Sequence, residues 1–262
     1  MASNRIFRPL LWLLILACGF LGLAWTIAPA TFAPLAGLIG TDLFTYRLAG
    51  AALFAYAAGL TAGSQASWAE LRIPIASTFA FGAATILACL VSLFAGGAPL
   101  VVVLILFLAI GFTAFAGQVL RQPPISAAGK ARAELERPIA PWVVGLFTVG
   151  VTAAAVFGLG TLLLGGEFGT LVGASGDDPF AYRFAGAATF GAAVGGVLVL
   201  QSRRWSAARL PALMAVTFNG LSVIAAIIEI LGGRGMPVAY LILAAAGLTT
   251  VGMTLALYRR GR

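Results

Sequence analysis

Two arginines stand in the same company at distant points of this 262-residue chain. Arg47 follows Tyr46 and lies five residues after Asp42; Arg183 follows Tyr182 and lies five residues after Asp178. Residues of these types at this spacing admit two chemistries. The simpler one is structural: an Arg at a helix end snorkels or meets a nearby carboxylate, and the Tyr rests at the membrane interface. The functional one is a paired site in which two guanidinium groups hold an anionic headgroup or substrate. Glu229, in Ile227-Ile228-Glu229-Ile230-Leu231, is the one acid inside the apolar spans as read from the sequence. An intramembrane ionisable group is a candidate site for a proton or a ligand. Arg234, five residues on, offers a local partner. Asn219, in the same span, reads as a hydrogen-bond donor to another helix. The candidate ligand-binding set is therefore Asp42, Tyr46, Arg47, Asp178, Tyr182, Arg183 and Glu229.

Much chemistry is excluded. The chain has no His, so imidazole ligation of haem, zinc or copper and His-based acid–base catalysis are impossible. Its two cysteines, Cys18 and Cys89, lie inside apolar runs and form no C-x-x-C. They read as small buried hydrophobes. Neither a metal nor a cofactor is expected. A carotenoid or quinone could use the many aromatic side chains, but no residue pattern calls for one.

The elements that must position these residues are membrane helices. Sixty-one per cent of the chain is hydrophobic and only 9% is charged. A soluble domain carries about 25% charged residues. Eight apolar runs each exceed what a hydrocarbon core about 30 Å thick requires: roughly 9–31, 44–63, 73–96, 99–120, 139–165, 180–201, 210–231 and 237–258. Arg5 and Arg8 before the first run, with Ala28-Pro29-Ala30 after it, resemble a secretory signal. We read the run as a retained span, because the fifth run is its counterpart in a repeat.

That repeat is the strongest signal. Between residues 32 and 59, 15 of 28 positions recur 136 residues later. The matched motif runs Phe32, Leu35, Gly37, Gly40, Asp42, Phe44, Tyr46, Arg47, Ala49, Gly50, and its copy begins at Phe168. Trp68, Arg72 and Pro74 recur as Trp205, Arg209 and Pro211. The expected fold is all-α: a polytopic membrane helix bundle of eight transmembrane helices. They form two parallel four-helix repeats related by a pseudo-two-fold axis along the membrane normal. The units are 1–121 and 137–262, and 122–136 is a cytoplasmic linker with a little surface helix. The Phe-x-x-Leu-x-Gly-x-x-Gly stretch reads as a short interfacial helix or re-entrant turn rather than a phosphate cradle. Small residues every fourth position, Ala51, Ala55, Gly59, Gly63 and Ala187, Gly191, Gly195, read as a close-packing stripe joining the second and sixth spans. Trp68, Trp142 and Trp205 read as interface anchors.

The side holding the N-terminus carries 13 of the 16 cations. This is the positive-inside pattern, so both termini are expected in the cytoplasm. It also explains the net charge of +8 without a nucleic-acid partner, and it favours anionic lipids on that face. Fifteen of the 16 cations are Arg and Lys130 is the one Lys, which with abundant Ala and Gly is a bacterial style of composition. The location expected is the bacterial inner membrane. No family resemblance carries a function. The function expected is a non-catalytic accessory or scaffold subunit, with a membrane-protein partner or a second copy, able to hold lipid or an apolar ligand. A transporter or channel with two similar halves is the alternative. A lipid-acting enzyme would need clustered acids or His that the loops do not offer.

Overall fold

In the computed structural model, which describes residues 3–38, 40–96, 99–122 and 137–260, the regular structure is helical apart from one isolated bridge between Pro138 and Arg204. The linker expected to be partly helical, 122–136, lies outside the described residues except for Gln122. Eight helices are long and apolar enough to cross a membrane. They are α1 (Ser3–Ile27), α3 (Leu43–Gly63), α4 (Trp68–Phe94), α5 (Leu100–Arg121), α6 (Pro141–Leu164), α8 (Pro179–Ser202), α9 (Trp205–Leu231) and α10 (Pro237–Arg260). Two short helices, α2 (Pro29–Leu35) and α7 (Gly166–Leu171), follow α1 and α6. These hold the Phe-x-x-Leu part of the repeated motif.

Local chemistry sets the boundaries. Asp42 caps α3, accepting from the Phe44 and Thr45 amides at 3.1 and 3.2 Å. Asp178 caps α8 in the same way, at 3.1 Å from both Phe180 N and Ala181 N. A short polar side chain here satisfies amides that no helical carbonyl reaches. Pro179, Pro141 and Pro29 occupy first-turn positions, where a missing N–H costs nothing. Gly37 and Gly173 stop α2 and α7 at φ of +74° and +86°, a region where a Cβ is strained. Leu38 N and Ala174 N then reach back to the carbonyls of Ala33 and Gly169.

Two starts come earlier than the hydropathy suggests. The third and seventh spans begin at Trp68 and Trp205 rather than at 73 and 210. Their first turns hold charged residues, Glu70 and Arg72 in one and Arg209 in the other, which ended the apolar runs in the sequence reading. Ser67 and Glu70 form a capping box, with Ser67 N donating to Glu70 Oε2 at 3.2 Å. Glu229 is therefore not the sole acid of a spanning helix; Glu70 is another, and it is buried.

Four helices make the centre. α3 packs along α9, α4 packs along α8, and α3 also touches α8. α1 covers α3, α6 covers α8, and α5 and α10 flank α4 and α9. In α3, 72% of the spanning window is buried, against 17% in α6, so α3 is central and α6 is peripheral.

Close helix contacts rest on missing side chains. A Cβ on Gly50 would lie 2.6 Å from Thr26 N and 2.7 Å from Gly22 O. A Cβ on Gly186 would lie 2.5 Å from Leu162 N and 2.8 Å from Gly158 O. In lipid, where apolar surface gains little by leaving the solvent, such backbone approach is a main source of helix affinity. The small-residue stripes join α3 and α8 only in part, where a Cβ on Gly191 would run into the Tyr56 hydroxyl. Gly59 faces Met214 of α9, and Gly195 faces Ser77 of α4. The stripes thus chiefly seat α9 on α3 and α4 on α8, because Met214 and Ser77 need that room.

Candidate functional site

The seven candidate residues gather at the end of the bundle that carries α2 and α7, and most are used against one another. Tyr46 donates its hydroxyl to Asp178 Oδ2, and Tyr182 donates to Asp42 Oδ2. Each Asp therefore caps its own helix and receives the Tyr of the other, α3 and α8 exchanging these bonds. All four residues are buried. Thr45 Oγ1 adds a bond to Asp42 Oδ2 at 2.8 Å, and the Gly176 amide donates to the Tyr182 oxygen at 3.1 Å. Gly40 is needed here: a Cβ on it would lie 2.6 Å from Asp178 Cβ and 2.8 Å from the Tyr46 hydroxyl. The Gly-x-x-Gly motif therefore ends a short helix and admits this crossed pair of bonds.

A neighbouring tie was not legible from the repeat. Asp177 Oδ2 accepts the Thr41 amide at 2.6 Å and also the Thr41 hydroxyl, and Oδ1 accepts from Ser175 at 2.9 Å. Partial desolvation pushes the Asp177 carboxyl up, but the donors from Thr41 and Ser175 outweigh it. They favour the charged form and hold the group below its usual range.

The two arginines differ. Arg47 is buried, and its Nη1 lies 3.6 Å from Glu229 Oε2, on α9. That separation gives attraction without a hydrogen bond. Arg47 Nε, Arg47 Nη1 and Glu229 Oε2 have no hydrogen-bond partner. Glu229 also accepts from Arg234 Nε at 2.9 Å, as the five-residue spacing suggested. The carboxylate that serves Arg47 is thus on α9, and Asp42 is engaged elsewhere. Arg183 lies against Gly165, whose missing Cβ leaves room for the guanidinium: a Cβ there would be 3.1 Å from Arg183 Cζ. Its Nε is buried without a partner. The structure gives Arg47 an internal counter-charge in Glu229 and gives Arg183 none among the described residues.

Three further placements matter. At the opposite end of the bundle, Arg209 Nη1 meets Glu70 Oε1 at 2.7 Å, joining α9 to α4. The Ser67-x-x-Glu70 box was the signal that could have revealed a helical Glu70. At the centre, the Tyr56 hydroxyl donates to Ala188 O at 3.1 Å, and Ser77 Oγ donates to Gly191 O at 2.7 Å. Asn219 Nδ2 bonds Ala215 O in its own helix at 2.8 Å, so it is not the interhelical donor expected. A short polar side chain reaches the carbonyl one turn back in its own helix more easily than an acceptor on a neighbouring helix. Trp205 is buried at 3% exposure and is no interface anchor, whereas Trp142 is exposed.

Among the described residues no group of three or more acids or cysteines could hold a metal ion. No protein family, no curated protein and no solved structure matches this chain. What stands is an integral membrane protein of eight apolar helices, with five of its acids, Asp42, Glu70, Asp177, Asp178 and Glu229, engaged by residues of other helices or loops.

Proposed function

We propose that this chain is a non-catalytic accessory or scaffold subunit of a bacterial plasma-membrane complex. Both termini face the cytoplasm, so α2 and α7 lie on the outer side. Residues 1–121 and 137–262 are two four-helix units about a pseudo-two-fold axis. The pairing of α3 with α9 and of α4 with α8 is what such a duplication would produce. The observation that carries the functional reading is the employment of the acids. Asp42, Asp178, Asp177, Glu70 and Glu229 each bond a residue of another helix or loop. Groups that a pump or a hydrolase would keep for substrate or proton are fasteners here.

The flanks fit assembly. On α6, Gly145, Thr148, Thr152 and Ala153 are exposed on one outward side together with Val149 and Val156. Thr148 and Thr152 satisfy their hydroxyls on their own backbone, at 3.0 Å. Such a surface lets another helix, from a partner or a second copy, approach closely. Between α1, α4 and α5 lies an apolar cleft of about 60 Å³, lined in part by Leu14, Cys18, Leu108 and Phe112. It suits part of a lipid tail or another apolar ligand.

The test is capture of the tagged chain from its native membrane in mild detergent, read by native mass spectrometry. A protein partner at fixed stoichiometry upholds the proposal. A lone chain that moves a solute across proteoliposomes would replace it with the alternative, a transporter built of two similar halves, which the duplication itself favours. A reporter fused after Arg262 checks the orientation: a periplasmic reading would overturn it.

A further inference from the structure

Arg47 and Arg183 are matched in sequence but not in charge environment. Gly59 on α3 faces Met214 on α9, and Gly195 on α8 faces Ser77 on α4. Counting from these two contacts, the helices run in the same register. Arg47 lies twelve residues before Gly59, and Glu229 fifteen residues after Met214. Arg183 lies twelve residues before Gly195, and Ser92 fifteen residues after Ser77. At a rise of about 1.5 Å per residue the two Arg positions meet their opposing helices at the same height. Where α9 brings Glu229 to Arg47, the matching position of α4 is Ser92.

The chemistry left over is specific. Ser92 is 8% exposed and its Oγ has no hydrogen-bond partner. Arg183 Nε is buried and also lacks one. No acid among the described residues forms an ion pair with Arg183; Asp178 is taken by Tyr46, and the exposed Glu167 is not joined to it. A guanidinium with a desolvated Nε keeps a donor that water does not serve, and an unserved donor costs free energy. A guanidinium edge and a hydroxyl offer donors to one oxyanion, and Arg binds phosphate side-on through paired N–H groups.

We propose that Arg183, backed by Ser92, is a phosphate-binding site at the α2/α7 end of the bundle, filled by a lipid headgroup or by free phosphate. The bound phosphate supplies the negative charge that Glu229 supplies to Arg47. The site is single, because the matching position on the other side is already neutralised from within.

The experiment uses the full-length protein purified in mild detergent. Two probes are applied: inorganic phosphate, read by thermal stability, and phosphatidylglycerol against phosphatidylcholine, read by native mass spectrometry. Three variants accompany wild type: Arg183→Gln, Ser92→Glu and Ser92→Gln. Arg183→Gln should weaken phosphate or phosphatidylglycerol binding roughly tenfold or more. Ser92→Glu should do the same by placing an internal carboxylate at the site, while the similarly sized Ser92→Gln should keep binding. Retention of phosphatidylglycerol without a response to inorganic phosphate assigns the site to a lipid; a response to both makes it a general phosphate site. The proposal is overturned if wild type binds neither probe, if Arg183→Gln binds as wild type does, or if Ser92→Glu and Ser92→Gln behave alike.

Discussion

Replacing Glu229 by Gln removes the only carboxylate among the described residues that pairs with Arg47, and the structure gives a size for the effect. The charged groups are 3.6 Å apart, and both side chains are nearly inaccessible, at 11% and 4% exposure. At an effective dielectric constant of about 20, two unit charges at this separation attract by roughly 4–5 kcal/mol. Losing one partner of a buried pair costs about 3–5 kcal/mol, because the other charge stays buried and unpaired. For a chain of this size that corresponds to a fall of roughly 6–20 °C in Tm. The double variant Glu229→Gln with Arg47→Met removes both charges and should recover most of the loss. Arg234→Gln is the control. Its bond to Glu229 is shorter, at 2.9 Å, but its side chain is 57% exposed. Its loss should cost about 0–1 kcal/mol. The assay is thermal unfolding of purified variants in one detergent, followed by a tryptophan or thiol probe. The reasoning fails if Glu229→Gln melts with wild type, or if the double variant is less stable than the single one.

Three other outcomes are expected. Tyr46→Phe and Asp178→Asn should each destabilise, and a double-mutant cycle should give a coupling of about 1.5–3 kcal/mol for this pair and none for Tyr46 with Asp42; the reverse pattern would contradict the crossed bonding. Gly50→Ala should lower stability by about 1–3 kcal/mol by forcing α1 from α3. Gly150→Ala, where a Cβ meets nothing within 4 Å, should stay within about 0.5 kcal/mol of wild type; equal effects at the two sites would refute the packing argument. Asp177 is held below its usual range, so its contribution to stability is fully present above the ordinary carboxylate value, about 3.9, and is lost as pH falls through the lowered folded-state value. Asp177→Asn should flatten that acid limb of the Tm–pH curve, and an unchanged limb would show that the Thr41 and Ser175 bonds do not matter.

The sequence by itself determined the membrane class and the eight spans, because a helix crossing hydrocarbon must be long and apolar along its whole length. It also displayed the duplicated motif and the Glu229–Arg234 spacing, since both are local or periodic facts. The caps at Asp42 and Asp178 follow from residue type and position just before a helix. Two spans were cut short at Glu70, Arg72 and Arg209, because hydropathy counts a charge and does not see that a capping box or a partner on another helix accommodates it. Which charges meet was decided only by tertiary structure. Tyr46 bonds Asp178 across 132 residues, Arg47 meets Glu229 across 182, and Arg209 meets Glu70 across 139. Those contacts depend on the order in which the helices pack, and apolar helices in lipid carry no long-range code for that order in their composition. The difference between Arg47 and Arg183 arises at that level too: identical motifs are set against α9 in one case and α4 in the other, and one opposing helix bears a carboxylate where the other bears a hydroxyl.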